Sequence, residues 1–236
     1  MPFRNSVSIV ASPRARVGKT LLARLLAEFH RQEGRAVEAF DLNAGDGALV
    51  QFLPELTTVS EIAHVKGQVA LFDRLVAEDG AAKIVDLGHQ SFDAFFALAH
   101  QIGFVEEAQR RAIAPAILFL ITPDATAVEA FRGLRRRFPE ALLAPVHNEI
   151  FGPAQHRDKY ELRGAALAQL PALAPSLRKY IETPPFSFAR LTENANIPLE
   201  AQAELERWLR RVYREFRELD LRILLADVQA AIRLPS

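Results

Sequence analysis

The sequence predicts an α/β fold, doubly wound, with a mostly parallel sheet and helices on both faces. Three observations support this fold. Short apolar, β-branched runs alternate with longer segments of helical spacing, which favours parallel strands joined by helical crossovers. The chain of 236 residues is 50% apolar and 25% charged, so it can bury a sizeable core. A Gly-Lys-Thr triplet lies between the first apolar run and the first helical segment.

The first half of the chain contains three predicted strands and three predicted helices. Residues 7–11, 37–42 and 83–87 have the composition of buried strands. Residues 20–32 have helical spacing and end near Gly34, a typical helix C-terminus. Residues 92–102 form the next predicted helix. One more helix is predicted from apolar residues at steps of three and four, namely Ile62, Val65, Val69, Phe72 and Val76.

The alternation of strands and helices continues in the second half of the chain and becomes less regular after residue 147. Residues 116–122 and 141–146 are predicted strands, and Asp124 is placed to cap the helix between them. After residue 147 we expect a helix near 160–170, a weak strand around 178–181 and an extended loop at Pro184–Pro185. Pro198 suits the first turn of a last helix. With neither a repeat nor a linker in the sequence, we expect one domain over 1–236, with 199–236 as a helical segment packed on it.

The composition excludes several classes of site. There are no cysteines, which rules out disulfides, thiolate metal sites and a cysteine nucleophile. Lys+Arg and Asp+Glu are both 29, so any nucleic-acid binding must come from a local patch. The apolar runs are too short to span a bilayer or to act as a signal peptide. We therefore expect a soluble, cytoplasmic protein.

The strongest motif is the segment S-P-R-A-R-V-G-K-T between the first strand and the first helix. A strand, a tight loop and a helix N-terminus present backbone N–H groups and a helix dipole to phosphate. Gly18, Lys19 and Thr20 fit the G-x-x-x-x-G-K-[ST] pattern, in which lysine reaches the outer phosphates and threonine holds Mg²⁺. The predicted nucleotide-binding residues of this loop are Pro13, Ala15, Arg16, Val17, Gly18, Lys19, Thr20 and Leu21.

The segment R-A-R-V-G-K-T resembles the deviant Walker A loop, K-G-G-V-G-K-T, of the ParA/MinD family of P-loop ATPases. Arg14 stands where that family has its signature lysine, which reaches the phosphates of a partner subunit. The resemblance implies a P-loop NTPase fold, ATP/ADP and Mg²⁺ as cofactors, and an ATP-dependent homodimer. Ala15 and Arg16 replace two loop glycines, and Pro13 replaces the first glycine of the general pattern.

The resemblance extends over about residues 6–210 and implies further site residues. Asp41 matches the first of two acidic positions in this part of the family's sequence, and Asn43 occupies the second. Because the amide of Asn43 cannot act as a base, hydrolysis should be slow or depend on another group such as Asp46. Asp86 ends a strand that resembles Walker B, which implies that it holds Mg²⁺ together with Thr20. Asn148 falls where the family has an adenine-contacting asparagine. The implied catalytic residues are Lys19, Arg14, Asp41 and Asn43.

Two surface features bear on partners. The helix after Asp124 carries a basic cluster that could bind DNA non-specifically, or could be a solvated face near a helix C-terminus; its members are Arg132, Arg135, Arg136 and Arg137. The last helix balances arginines with glutamates opposite its apolar face, so we expect packing on the sheet or a partner in preference to a membrane.

These features together predict a Mg-dependent, ATP-binding nucleotide switch with slow ATPase activity. Partition, conjugative transfer or the positioning of a partner complex are the roles that the ParA/MinD resemblance implies, with an unidentified protein partner. One alternative is a small-molecule ligase similar to dethiobiotin synthetase, which also carries V-G-K-T. Another is a scaffold that binds nucleotide without hydrolysing it, which the changes at Pro13, Ala15, Arg16 and Asn43 favour.

Overall fold

The computed structural model describes residues 5–43, 48–154, 157–160, 167–194 and 196–233. Short 3-10 turns lie at Glu149–Phe151, Arg157–Tyr160 and Leu191–Glu193. The strands and helices in chain order are β1 (Ser6–Ala11), α1 (Lys19–Gln32), β2 (Val37–Leu42), α2 (Ala48–Phe52), β3 (Thr57–Val59), α3 (Val65–Leu75), β4 (Ala82–Leu87), α4 (Phe92–Gln101), α5 (Phe104–Arg110), β5 (Ala114–Leu120), α6 (Ala125–Arg137), β6 (Leu142–Asn148), β7 (Ala168–Leu170), α7 (Pro175–Ile181) and α8 (Leu199–Arg233).

The strands form one seven-stranded sheet in the order β3-β2-β4-β1-β5-β6-β7, and every neighbouring pair is parallel. The predicted doubly wound parallel sheet is therefore confirmed. β1 lies in the middle, with β4 on one side and β5 on the other. The crossover after β1 leads toward β2, whereas the crossover after the neighbouring β4 leads in the opposite direction to β5. Ligands of such sheets bind at the carboxyl edge of the point where the crossovers diverge.

Both faces of the sheet are covered, which explains why its strands are apolar almost throughout. In β1, Val10 belongs to one core cluster, whereas Val7 and Ile9 belong to the other. The first cluster joins the sheet to α1, α7 and α8, and the second joins it to α3, α4, α5 and α6. Alternate residues of each strand thus anchor opposite helical layers.

Two predictions for the region after β6 are wrong. Residues around 178–181 form the end of helix α7 and not a strand, because Leu177 and Ile181 stand four residues apart and both face the core. Of the helix expected near 160–170, Ala168–Leu170 is strand β7, which extends the sheet beside β6. Residues 161–166 of that prediction lie outside the described residues.

Helix α3 exists, but its predicted apolar face is partly wrong. Val65 is 73% exposed and Val69 is 53% exposed, whereas Leu71, Phe72 and Leu75 face the core. The last helix begins at Leu199, directly after Pro198, and runs to Arg233. Its predicted apolar side is buried on the sheet and α1, as shown by Leu205, Trp208, Leu209, Val212, Phe216 and Leu219. Within the described residues, none of the helices is apolar enough over a sufficient length to cross a bilayer.

Candidate functional site

The predicted strand–loop–helix unit is present around the Gly-Lys-Thr triplet. β1 ends at Ala11 at the carboxyl edge of the sheet, and α1 begins at Lys19. Gly18 caps α1 with φ of 99°, and Arg16 has a left-handed φ of 59° that is uncommon for a residue with a side chain. The loop thus turns back on itself immediately before the α1 N-terminus, where N–H groups and the helix dipole favour an anion.

Asn148, at the end of β6, braces this loop. Its Nδ2 donates to the Val17 carbonyl at 3.1 Å, and its Oδ1 accepts from the Ile150 N–H at 3.2 Å. A Cβ on Gly18 would lie 2.6 Å from the same Nδ2, so only glycine fits at this point. The amide predicted to contact a base is therefore 7% exposed and bonded to the protein backbone.

Lys19 is folded into the loop. Its side chain is buried, and Nζ donates to the Arg14 carbonyl at 2.6 Å. Burial lowers the pKa of Lys19, and the nearby charge of Asp86 partly opposes that effect. The ammonium thus occupies the hollow of the loop. A phosphate there would bind it more strongly than the neutral Arg14 carbonyl does.

Thr20 and Asp86 meet across the carboxyl ends of β1 and β4. Thr20 Oγ1 donates to Asp86 Oδ2 at 2.7 Å, while Asp86 Oδ1 is buried and has no hydrogen-bond partner. Burial raises the pKa of Asp86 to about 6, with hydrogen bonds from Thr20 and Asn43 opposing the rise and the charge of Asp41 adding to it. A buried carboxylate oxygen without a donor is costly, and a bound cation would satisfy it.

Asn43 bridges the two predicted carboxylates. Its Nδ2 donates to Asp41 Oδ1 at 2.7 Å and to Asp86 Oδ2 at 3.0 Å. Asp41 Oδ2 accepts from the backbone N–H groups of Leu49 and Val50, at the start of α2. The amide therefore separates two buried carboxylates, and each oxygen of Asp41 accepts at least one hydrogen bond. Asp46, the other acid considered for this role, lies outside the described residues.

These oxygens suit Mg²⁺, whose preferred ligands are carboxylate, hydroxyl and water oxygens. The hydroxyl of Thr20, the unpartnered oxygen of Asp86 and the raised pKa of that carboxyl are all consistent with a cation between them. No group of three or more His, Asp or Glu side chains in the described part of the chain forms a self-contained metal cage. The residues thus fit a metal that shares its coordination with a phosphate ligand.

Arg14 does not point into the hollow of the loop. Its side chain is half-exposed, and Nε lies 3.6 Å from Oδ2 of Asp124, at the N-terminus of α6. As predicted, Asp124 caps α6, since its Oδ1 accepts from the Ala127 N–H at 3.1 Å. The positions predicted to act together on a triphosphate are therefore adjacent, but Arg14 is turned sideways along the carboxyl edge.

A cleft of about 720 Å³ opens from the loop along this edge. The predicted residues that line it are Ala15, Arg16, Gly18, Lys19, Thr20, Leu21, Asn43 and Asn148. Its other walls were not predicted from the sequence. They are formed by Arg24, Ile150, Phe151, Pro171, Leu173, Arg178 and Trp208, among others. The exposed His89 also borders the cleft. The volume lies in the range of ligand sites for small molecules and cofactors.

Arg24 is an unexpected buried cation in a wall of the cleft. It lies one turn beyond Thr20 on α1 and is 3% exposed. Its Nη1 donates to the Ile181 carbonyl at 2.9 Å, and its guanidinium stacks 3.6 Å from the ring centre of Phe52. Burial lowers its pKa to about 10, against the attraction of Glu28 and Glu182. Arg24 therefore connects the loop helix with α2 and with the end of α7.

The basic cluster of α6 lies away from this cleft. α6 starts at the carboxyl edge and runs back across the sheet, which carries its last turn toward the opposite edge. Arg135 and Arg137 are exposed, Arg136 pairs with Glu129 at 3.2 Å, and Arg132 donates to the Lys159 carbonyl. The neighbouring Arg110 and Arg111 both pair with Glu107.

Known structures share this architecture. A chain of the MinC:MinD cell division protein complex of Aquifex aeolicus is 15% identical, with a TM-score of 0.51, and the match covers 88% of this chain and 95% of that one. The cell division ATPase MinD of Pyrococcus furiosus is 16% identical, with a TM-score of 0.51, and the match covers 93% of this chain and 100% of that one. Chloroplast FtsY of Physcomitrella patens is 12% identical, with a TM-score of 0.50, and the match covers 87% of this chain and 65% of that one.

Neither the family models nor the curated proteins contain a match to this sequence. At identities this low, the structural likeness defines the fold and not the activity. The sheet order, the loop after β1 and the structural matches together define a P-loop NTPase fold, as the sequence analysis predicted. The likeness to MinD-type structures agrees with the resemblance to the ParA/MinD family that the loop sequence carries.

Proposed function

We propose that the protein is a Mg-dependent, ATP-binding nucleotide switch of the MinD/ParA type. One observation supports this most: Lys19 fills the hollow of the loop while Thr20 and the orphaned carboxylate of Asp86 stand beside it. A triphosphate needs an ammonium, backbone N–H groups and a metal at this spacing. One of the structural matches, MinD of Pyrococcus furiosus, is a cell division ATPase, which is consistent with ATP as the nucleotide.

Each residue of the site has a role in this proposal. The backbone of residues 13–18 and the N–H groups of Thr20 and Leu21 surround the phosphates, and Lys19 neutralises their charge. Thr20 and Asp86 hold Mg²⁺, which would offset the negative charge of the triphosphate. Asp41 keeps the start of α2 and Asn43 in place through its hydrogen bonds. Since Asn43 supplies an amide and not a base, hydrolysis is expected to be slow.

The switch would operate through ATP-dependent dimerisation and a protein partner. Arg14 lies at the carboxyl edge and is half-exposed, so it can turn toward its own nucleotide or toward that of a second subunit. One structural match is a complex of MinD with MinC, which makes a partner protein a reasonable expectation. Partition, conjugative transfer or positioning of another complex in the cytoplasm would suit such a switch.

Two other functions remain as alternatives. A small-molecule ligase on this scaffold is favoured by the size of the cleft and by Arg24 and Arg178 in its far wall. Phosphate release that depends on a small carboxylic acid would support it over the switch. A non-hydrolysing scaffold is favoured by Asn43, whose side chain is committed to two carboxylates. Nucleotide binding without any turnover would support this last alternative.

Non-specific DNA binding by the α6 cluster belongs to the same proposal. Arg135 and Arg137 are the exposed members with no ion pair among the described residues. Changing both to glutamate should abolish salt-sensitive DNA binding if the cluster is a DNA surface. Equal binding by the variant and the unaltered protein would exclude this part of the proposal.

Molar mass by light scattering tests the switch. We expect a monomer with ADP and a dimer with ATP and Mg²⁺, and no change with ATP in Lys19→Ala. Lys66→Ala, which removes an exposed lysine of α3, is the matched control and should behave as the unaltered protein. The same mass under all conditions would overturn the dimeric switch and favour one of the alternatives.

A further inference from the structure

The far end of the cleft contains an apolar slot that the phosphate chemistry does not explain. One wall is the 3-10 turn Glu149–Phe151, where Ile150 is 43% exposed and Phe151 is 49% exposed. Both border the same cleft as the phosphate loop. Large apolar side chains beside a charged loop leave apolar surface in water unless a flat or apolar ligand covers them.

A second part of the cleft wall follows strand β7. Pro171 and Leu173 lie there, backed by Trp208 of α8, whose Nε1 donates to the Pro171 carbonyl at 2.8 Å. These three side chains are buried, so the wall does not depend on a ligand for its shape. The slot thus has a fixed apolar side and a more exposed aromatic side.

Hydrogen bonds tie the two walls together. Glu149 Oε2 accepts from the Ala172 N–H at 3.1 Å, and Arg211 of α8 lies 3.8 Å from the same carboxylate. His147 Nε2 donates to the Gly152 carbonyl at 2.8 Å and closes the turn behind Phe151. The separation of the walls is therefore built into the protein, which limits the cost of ordering them around a ligand.

Asn148, which directly precedes this turn, has little freedom to read the edge of a base. Asn148 donates to the Val17 carbonyl and accepts from the Ile150 N–H, and it is 7% exposed. Both ends of its amide thus serve the phosphate loop and the turn. The second N–H and the second lone pair of this amide are largely covered, because the side chain is only 7% exposed, so little of the amide is accessible to the edge of a base.

We propose that Phe151 is the residue that binds the base of the nucleotide, and that it does so by stacking and not by hydrogen bonds from Asn148. The inference rests on the proposed nucleotide-binding function. Aromatic stacking accepts any base with a large π-face, because it does not read hydrogen-bond donors and acceptors. The site should therefore distinguish a purine nucleotide from inorganic tripolyphosphate but distinguish ATP poorly from GTP.

Calorimetric titration with three probes in the presence of Mg²⁺ tests this proposal: ATP, GTP and inorganic tripolyphosphate. For the unaltered protein we expect ATP and GTP affinities within about threefold of each other. In Phe151→Ala, both should fall about tenfold or more, whereas tripolyphosphate affinity should stay within about twofold. Phe151→Tyr keeps the ring and should retain nucleotide affinity.

The controls separate this inference from the proposed function. Ile102→Ala removes an equally exposed apolar side chain at the end of α4 and should change no affinity. Lys19→Ala should weaken all three probes. An unchanged ATP affinity in Phe151→Ala, an equal loss for tripolyphosphate, or a preference above about thirtyfold between ATP and GTP would overturn the stacking role alone. Failure of the unaltered protein to bind any probe would overturn both proposals.

Discussion

Arg14 Nε lies 3.6 Å from Asp124 Oδ2, so the residue that replaces the signature lysine is paired within its own chain. Asp124 is fixed in place, because its other oxygen caps α6. The Arg14 side chain is half-exposed, and exposed ion pairs of this kind contribute little to stability. The pair therefore determines the direction of the Arg14 side chain more than the stability of the fold.

Asp124→Asn tests this pairing, because asparagine caps a helix as well as aspartate but carries no charge. We expect the free energy of unfolding to change by less than about 0.5 kcal/mol. We also expect ATP-dependent dimerisation at a severalfold lower protein concentration, since Arg14 no longer has to leave a partner. Light scattering at graded concentrations measures this shift. Glu129→Gln, which breaks the Arg136 pair of the same helix, should leave dimerisation unchanged.

Asp86→Asn tests how much stability the protein loses by burying the charged carboxylate of Asp86. Burial raises its pKa to about 6, above the value of about 3.9 for an unfolded chain. The folded state therefore binds more protons between about pH 4 and pH 6, and stability falls as pH rises through that window. Removing the charge should stabilise the nucleotide-free protein by up to about 3 kcal/mol at pH 7.5 and hardly at all at pH 4.

Urea unfolding of the Asp86→Asn variant at the two pH values measures this difference. Burial also raises the pKa of Asp220 to about 6, so the variant should keep the part of the pH dependence that Asp220 contributes. The variant should lose the ability of Mg²⁺ to strengthen ATP binding. A variant less stable than the unaltered protein at pH 7.5 would contradict the electrostatic account of the site.

Asn43→Asp tests the amide bridge. The new carboxylate would face both Asp41 Oδ1 and Asp86 Oδ2, which now accept from Nδ2 of Asn43. We expect a loss of about 2–4 kcal/mol without ligand at neutral pH, partly recovered with Mg²⁺ and ATP. Asn43→Ala removes the same hydrogen bonds without adding charge, so the difference between the two variants measures the repulsion.

The Asn43→Asp variant also separates two of the proposed functions. A large gain in ATPase activity would mean that a hydrolytic apparatus is held back by this one residue. An unchanged rate, with nucleotide still bound, would favour the non-hydrolysing scaffold. Phosphate release under saturating ATP and Mg²⁺ measures this rate. Equal stability of Asn43→Asp and Asn43→Ala would contradict the bridging role of the amide.

Gly18→Ala tests the close approach of the loop to Asn148. The added Cβ would lie 2.6 Å from Asn148 Nδ2, at a φ of 99° that side chains rarely adopt. We expect a loss of about 1–3 kcal/mol in unfolding free energy and a much weaker affinity for ATP. Thermal unfolding and calorimetry measure the two effects.

Gly133→Ala is the matched control for this change. Gly133 lies inside α6, and a Cβ there would meet nothing within 4 Å. Alanine should therefore stabilise the helix by about 0.5–1 kcal/mol and leave ATP binding unchanged. Similar effects of the two substitutions would show that the contact between Gly18 and Asn148 has no special importance.

The loop end of the candidate site could be predicted because the sequence features that mark it are local. A strand, the Gly-Lys-Thr triplet and a helix are adjacent in the chain, and Asp41 and Asp86 each lie at the end of an apolar strand. Parallel strands bring such positions to one edge of the sheet. This edge could therefore be predicted without knowledge of how the later elements pack.

The apolar part of the cleft, which we propose holds the base, could not be predicted in the same way. Phe151, Pro171 and Trp208 come from a turn, a loop and a distant helix, and only the packed fold brings them together. The chain around β7 also lacks strong periodicity, so the sequence predicts a helix where Ala168–Leu170 forms a strand. For α3, the three- and four-residue steps predicted the helix correctly, but Val65 and Val69 remained exposed.

The binding of ATP at the loop is the central claim, and its most direct test is a calorimetric titration of ATP with and without Mg²⁺. The fluorescence of Trp208, the single tryptophan of the chain, provides a second signal from the cleft wall. We expect binding that Mg²⁺ strengthens, and a loss on the order of 100-fold in Lys19→Ala but not in Lys66→Ala. Undetectable ATP binding by the unaltered protein, or equal affinity in Lys19→Ala, would contradict the account.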